Sequence, residues 1–372
     1  MTPENFFEDL AAHSRAKHDI LRRYLRAWYP IMSNFAKKSG NNVIRYIDGF
    51  AGEGTYENGD YYGSPLIALN VIKENEYLIN KGLIYEYLFF EETDKGFRHL
   101  QEVLSSISFP NCMQVKLECG KFETKLTEWL DLQNSLRYSL DPTFIFVDPF
   151  GPTGFSMNLM RRLLSYRSTE VLVTLNLQSI IRWYLEDEEK FVTLDSLFGC
   201  RDWRDWRIFS DPIQKVEFLR NLYSNQLKVS NDILTRDFRM ENKKGLTSYY
   251  LVYATHDPKG LDVMKTAMWS VDPTGAFQYS DITNPAQPLL FRFDEMDCEK
   301  YGRELAARFA GMTVPKLTLE EVRKTDPYYL AKHLTGALKW LVEEADPKII
   351  AHGKKRGTGW SSDTEFIFPS KD

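Results

Sequence analysis

Two short stretches of this chain have residue types and spacings able to hold and orient a reacting ligand. The first is Asp48-Gly49-Phe50-Ala51-Gly52-Glu53-Gly54, directly after the apolar run 43–47. Glycines at such a turn let a ligand lie against bare main chain, where a Cβ would hold it off. The spacing excludes two common loops. A phosphate loop needs a Lys after its last glycine, and none follows Gly54; a dinucleotide fingerprint needs Gly or Ala three residues on, where Glu57 stands. The second stretch is Asp148-Pro149-Phe150-Gly151-Pro152, after the apolar run 143–147. A carboxylate there either accepts hydrogen bonds from a substrate in a cleft or ends the strand in an Asp-Pro turn. Glu91 closes a third apolar run, 84–90. An acid at the end of a second strand can take both hydroxyls of a ribose, or simply be a charged strand end. His256 reads as a turn residue or as a base.

These residues need a scaffold that brings strand ends together. Strand, glycine turn and a helix from Ser64-Pro65 form the opening unit of a doubly wound α/β domain. Ser64 suits the N-cap and Pro65 the first helical position. Further strands are predicted at 84–90, 113–117, 143–147, 170–176, 248–255 and 289–293, giving a seven-stranded Rossmann-like sheet in a domain of residues 1–297. A helical segment at 6–38 repeats Ile20, Leu21, Tyr24, Leu25 and Trp28 at helical spacing, and Pro30 should bend or end it. Either it packs on the sheet with its arginines in water, or Lys17, His18 and those arginines line a substrate entrance. Residues 178–229 read as a helical insertion over the cleft. Its Trp203 and Trp206, interleaved with Arg201, Arg204 and Arg207, either stack on bases or lie in a partly buried helix.

Residues 298–372 read as a second, winged-helix-like domain. Helices are predicted at 298–311, at 318–324 behind a capping box at Thr318, and at 327–345. A strand at Ile349-Ile350, a basic loop at 354–357 and a strand ending at Phe368 follow. Helix, helix and basic hairpin can place a helix in the major groove and a wing on phosphates, or can serve docking or oligomerisation.

The totals narrow the classes. With 372 residues, two domains are expected, and 43% apolar with 27% charged residues excludes wholesale disorder. The net charge of −5 gives no global basic field, although residues 13–38 hold seven Lys/Arg against Asp19 alone. Cys112, Cys119, Cys200 and Cys298 form no C-x-x-C pair, so no metal site is expected and a reducing compartment fits. The N-terminus has no signal-peptide core and no run of 18 apolar residues exists, so a cytoplasmic protein with no membrane span is expected.

The first stretch, D-x-F-A-G-x-G, resembles the first motif of class I S-adenosylmethionine-dependent methyltransferases, whose acid and glycines hold the cofactor's amino-acid end. The resemblance implies the seven-stranded sheet of that class, S-adenosyl-L-methionine as cofactor, and cofactor contacts at Asp48, Gly49, Phe50, Gly52, Gly54 and Glu91. The second stretch resembles the [DNS]-P-P-[YFW] motif of amino-group methyltransferases, whose polar side chain orients a target amine. It implies Asp148, Pro149 and Phe150 as catalytic positions. Phe150 stands where that motif has its second proline, and Gly151 where it has its aromatic. The acid expected after the third strand is absent from 118–122, where Phe122 packs either on adenine or in the core.

In order along the chain come K-H-x-I-L-x-x-Y-L-x-A-W at 17–28, Y-I-D-G-F-A-G-E-G at 46–54, G-S-P-L-I-A-L at 63–69 and V-D-P-F-G at 147–151. With the winged tail, these look like the three-Cys-motif partner family of bacterial methyltransferase-like proteins. That resemblance implies a partner protein with three cysteines, often radical-SAM-like, and supplies no substrate; DNA or RNA as a further partner is read from the winged-helix-like tail. Three functions stay open: a methyltransferase on nucleic acid or on a partner-bound macromolecule; a non-catalytic nucleic-acid-binding or assembly protein that keeps the fold; and an enzyme using the same cleft for another nucleotide.

Overall fold

In the computed structural model, the described residues are 3–40, 42–56, 61–135, 142–241, 247–272, 278–280, 293–326, 328–353, 355–356 and 359–370. The chain divides into two compact units, residues 1–271 with 277–283, and residues 272–276 with 284–372.

The first unit is built on one mixed sheet. Its strands are β1 (Val43–Asp48), β2 (Ile84–Glu91), β3 (Met113–Cys119), β4 (Thr143–Val147), β5 (Thr169–Leu175), β6 (Leu234–Glu241), β7 (Thr247–Thr255) and β8 (Gln278–Ser280). Their order is β8-β6-β7-β5-β4-β1-β2-β3. Strands β1 to β5 run parallel, and β7 lies antiparallel between β5 and β6. This is the class I methyltransferase order with an eighth strand added at the β6 edge, where β8 runs parallel to β6. The predicted sixth strand, 248–255, is thus the antiparallel β7, and the true sixth strand, β6, was not anticipated. The predicted strand at 289–293 lies outside the described residues except Phe293, which opens a helix.

Both faces of the sheet are covered, which is why residues 144–147 in β4 and 171–173 in β5 read as apolar runs. On one face, α1 (Pro3–Ser39) lays Ile20, Leu21, Tyr24, Leu25 and Trp28 against Tyr46, Tyr85 and Phe144. Part of the high aromatic content lies in this layer. Trp28 and Phe144 have ring centroids 5.8 Å apart, and Tyr29 meets Tyr85 edge-on at 5.8 Å. Helix α1 continues through Pro30 as a single helix of 37 residues, where a break or bend was anticipated. On the other face Ile47, Ile145 and Val147 pack against α4 (Phe122–Ser135) and α5 (Met157–Leu164). Between these in the chain lie α2 (Ser64–Lys73) and α3 (Asp94–Ser105).

Residues 177–227 run through α6 (Leu177–Trp183), α7 (Phe191–Phe198) and α8 (Pro212–Leu227), joined by two short 3₁₀ turns. Trp203 and Trp206 are buried here. Trp203 donates to Asp195 at 2.8 Å, and Arg204 bridges the same carboxylate at 3.0 Å. Their faces are in the core, so they offer no stacking platform for bases. No described helix is long and apolar enough to cross a membrane.

The second unit has the element order helix (Phe293–Phe309), strand (Thr313–Pro315), helix (Lys316–Thr325), helix (Ala331–Glu343), strand (Ile350–His352), strand (Glu365–Ile367). The last strand lies between the other two in an antiparallel sheet. A short ladder pairs Lys355–Arg356 with Gly359–Trp360. The middle helix starts at Lys316 with Pro315 at its cap, so Thr318 lies inside it and makes no capping box.

Candidate functional site

The register sets the site. Asp48, the last residue of β1, is level with Phe89 in β2 and Phe146 in β4. The carboxyl ends of these three neighbours therefore meet at one edge, where a doubly wound sheet holds its ligand. Asp48 is fully buried. Its carboxylate accepts from the Phe50 N–H at 3.3 Å and the Tyr46 hydroxyl at 3.2 Å. Burial pushes its pKa up to about 7; the Ser64 hydroxyl and the Phe50 N–H hold it down, and the charge of Asp148 adds to the rise.

The turn after Asp48 is stitched at both sides. The Gly49 N–H donates to the Phe146 carbonyl at 2.9 Å, and the Ala51 N–H to the Phe90 carbonyl at 2.9 Å. The Gly52 N–H donates to Glu91 Oε2 at 2.9 Å. Gly63 closes the loop by donating to the Gly54 carbonyl at 2.8 Å. A Cβ at Gly63 would come within 3.0 Å of that oxygen, so the helix cap falls on a glycine. Ser64, predicted as the N-cap, is instead the first residue of α2, beside Asp48.

The glycines of the turn divide by what faces them. Gly49 would carry a Cβ 2.9 Å from the Phe122 ring, and Gly54, at φ +81°, one 2.6 Å from Leu100 Cδ1. These two are required by packing. Gly52, at φ +63°, would carry a Cβ that meets no atom of the described residues within 4 Å. Open space and half-buried main chain coincide at Gly52. Phe50 packs between Phe122 and Phe155, at centroid distances of 5.7 and 6.5 Å. Phe122 itself is buried in that cluster, which takes it away from an adenine.

Glu91 ends β2. Its Oε1 accepts the Thr93 N–H at 2.9 Å and the Thr93 hydroxyl, while Oε2 holds Gly52. The carboxylate thus ties the turn to the second strand and keeps one lone pair, on Oε2, beyond these three bonds.

Asp148 follows β4. Lys17 of α1 donates to its Oδ2, with both side chains largely buried. Burial alone would raise the Asp148 pKa; the Lys17 ammonium outweighs it, helped by the Thr174 hydroxyl and His18, and holds the group below the usual carboxylate value. His18 is 2% exposed, and its ring stacks on Tyr61 at 5.6 Å. Burial, then the charge of Lys17, push its pKa down to about 3, so the imidazole is neutral at physiological pH. Pro149 is buried, whereas Phe150 is 98% exposed.

Lys17 and His18 are the site residues the sequence marked least clearly. The signal was present: they lie four and three residues before Leu21, which continues the buried stripe of α1. Arg23 and Arg26 point outward. His256 is a turn residue, held between Asp232 at 3.0 Å and the Leu164 carbonyl at 2.7 Å. Among the described residues no three His, Cys, Asp or Glu side chains gather as a metal site.

No family model matches the chain, and no curated protein matches it. Solved structures with some likeness include a DUF519 protein from Legionella pneumophila, at 9% identity over 68% of this chain and 91% of that one, TM-score 0.37. An O-methyltransferase from Bacillus cereus in complex with SAH has 12% identity over 62% and 80%, TM-score 0.28. A SAM-dependent methyltransferase from Methanosarcina mazei has 10% identity over 58% and 93%, TM-score 0.27. At these TM-scores the likenesses say nothing about what this chain binds.

Proposed function

We propose that this chain is an S-adenosylmethionine-dependent methyltransferase of the three-Cys-motif partner type, acting on nucleic acid or on a macromolecule held by its partner protein. The observation that carries this reading is Gly52. It is a left-handed glycine with open space where a side chain would be, held between β1 and β2 by the Glu91 carboxylate. A cofactor's amino-acid end would lie against the main chain at Gly52, with the remaining acceptor site of Glu91 Oε2 for a ribose hydroxyl. When bound, the cofactor would supply an electrophilic methyl on a sulfonium. The protein's part is to orient the acceptor and exclude water, which is where most of the rate enhancement of such a displacement arises.

Asp48 acts on the turn. By accepting from Phe50 and Tyr46 it fixes the glycine loop's shape from below. Asp148 and Lys17 stand at the end of the neighbouring strand, where an acceptor would enter, and the exposed Phe150 offers a stacking face beside them. The second unit supports a nucleic-acid acceptor. Its helix–strand–helix–helix–strand–strand order, with the last strand central, is the winged-helix order, and its short ladder carries Lys355 and Arg356.

The test is methyl transfer by the full chain. Tritium from methyl-labelled cofactor should enter bacterial RNA, DNA or a co-expressed three-cysteine partner. Cofactor binding with no label in any of the three favours the alternative, a non-catalytic assembly protein.

A further inference from the structure

The Lys17–Asp148 pair bears on which atom receives the methyl group. A target amine needs a bare acceptor to take its N–H bonds and aim its lone pair. Asp148 is the acid placed for that task, yet its Oδ2 already holds the Lys17 ammonium, and the Thr174 hydroxyl stands beside the same carboxylate. The pair is not a loose surface contact. Lys17 is flanked on α1 by Ala16, His18, Ile20 and Leu21, all buried, so its stem is fixed in the core. Taking one partner from a buried ion pair leaves an uncompensated charge, which strongly opposes displacement by an incoming amine. The ammonium also repels any acceptor that arrives protonated.

What the pair does offer is donors. An ammonium has three N–H bonds, and Asp148 Oδ2 uses one of them. Next to it stands a buried imidazole, His18, stacked on Tyr61. Such a donor suits an oxygen nucleophile, which gains negative charge as it loses its proton.

Building on the methyltransferase reading above, we infer that the acceptor is a hydroxyl oxygen, met by the Lys17 ammonium that Asp148 holds in place. The oxygen lone pair forms the new O–C bond to the methyl carbon. The C–S bond breaks with its electron pair left on sulfur, which becomes a neutral thioether. The ammonium favours the deprotonated oxygen, and the hydroxyl proton leaves to solvent water. Burial and Lys17 oppose protonation of His18, so the imidazole is a neutral neighbour of the pair and not the proton acceptor.

The test compares two ligands that need no turnover. In sinefungin a primary ammonium replaces the methyl-bearing sulfonium, whereas S-adenosylhomocysteine has only a thioether there. Calorimetry on the full chain should give sinefungin an affinity no better than that of S-adenosylhomocysteine, because Lys17 already neutralises Asp148. In Lys17→Met the freed Asp148 should shift the ratio toward sinefungin by about tenfold or more. Lys17→Arg keeps the charge and should keep the wild-type ratio. Should Lys17→Met not fold, the wild-type ratio alone decides. A wild-type preference for sinefungin of about tenfold, or an unchanged ratio in Lys17→Met, would overturn the hydroxyl assignment and leave the methyltransferase reading standing. Binding of neither ligand would remove both.

Discussion

The Gly52 N–H donates to Glu91 Oε2 at 2.9 Å, linking the turn after β1 to the end of β2. The same carboxylate caps Thr93 through its other oxygen, so one side chain fixes the turn and the start of α3. Glu91→Ala leaves both main-chain donors unpaired. It should lower stability by about 1–3 kcal/mol and weaken S-adenosylhomocysteine binding by at least about tenfold. Glu91→Gln keeps one acceptor oxygen and should fall between. Urea unfolding and calorimetry on the same samples separate the two effects.

Gly52 and Gly54 should respond differently to the same change. Both have positive φ, so alanine strains either one. At Gly54 the new methyl also meets Leu100 Cδ1 at 2.6 Å, while at Gly52 it enters open space. Gly54→Ala should therefore cost about 1–3 kcal/mol more stability than Gly52→Ala. Gly52→Val should retain the fold by circular dichroism yet lose cofactor binding, since its side chain stands where the ligand would lie.

Asp48 sets a pH dependence whose sign follows from its raised pKa. The ordinary value is 3.8, and in the fold it is about 7. Between these values the folded state keeps a proton that the unfolded state has released, so stability falls as pH rises and levels off above about 7. Asp48→Asn lacks this loss. Glu170, also raised to about 7 by burial, acts in both proteins and cancels. The stability of wild type relative to Asp48→Asn should drop by roughly 2–3 kcal/mol from pH 5 to pH 8. Urea midpoints at the two pH values check this, and a pH-independent difference would mean that Asp48 titrates normally.

Much of the sheet was readable because the cause is local. Strands β4 and β5 are buried on both faces, so their runs of Phe, Ile, Val and Leu stand out. Strand β6 did not, because Phe238 and Met240 alternate with Asp237, Arg239 and Glu241. Those charges are explained by a partner distant in sequence order: Asp237 accepts from Arg220 and Ser224 of α8, at 2.8 and 3.0 Å. The same holds at the site. Asp48, Glu91 and Asp148 were legible as acids ending apolar runs. The role of Lys17 depends on Asp148, 131 residues away, which no local pattern encodes. For Trp203 and Trp206 the sequence left stacking and burial both open; both rings are buried, and Asp195 takes the Trp203 N–H and pairs Arg204.

The ladder of the second unit gives a test of the nucleic-acid reading. Replacing Lys355 and Arg356 together by Glu should lower affinity for duplex DNA or RNA and reduce the slope of log affinity against log salt by about 1–2. Unchanged affinity and slope in filter binding would assign this unit to protein docking instead.

The claim on which the account rests is that the main chain at Gly52 receives an adenosyl amino acid. Calorimetric titration of S-adenosylhomocysteine into the full-length protein tests it most directly. The account predicts saturable one-site binding that Gly52→Val abolishes while leaving the unfolding transition in place. Absence of heat at millimolar ligand, or equal binding by wild type and Gly52→Val, would contradict it.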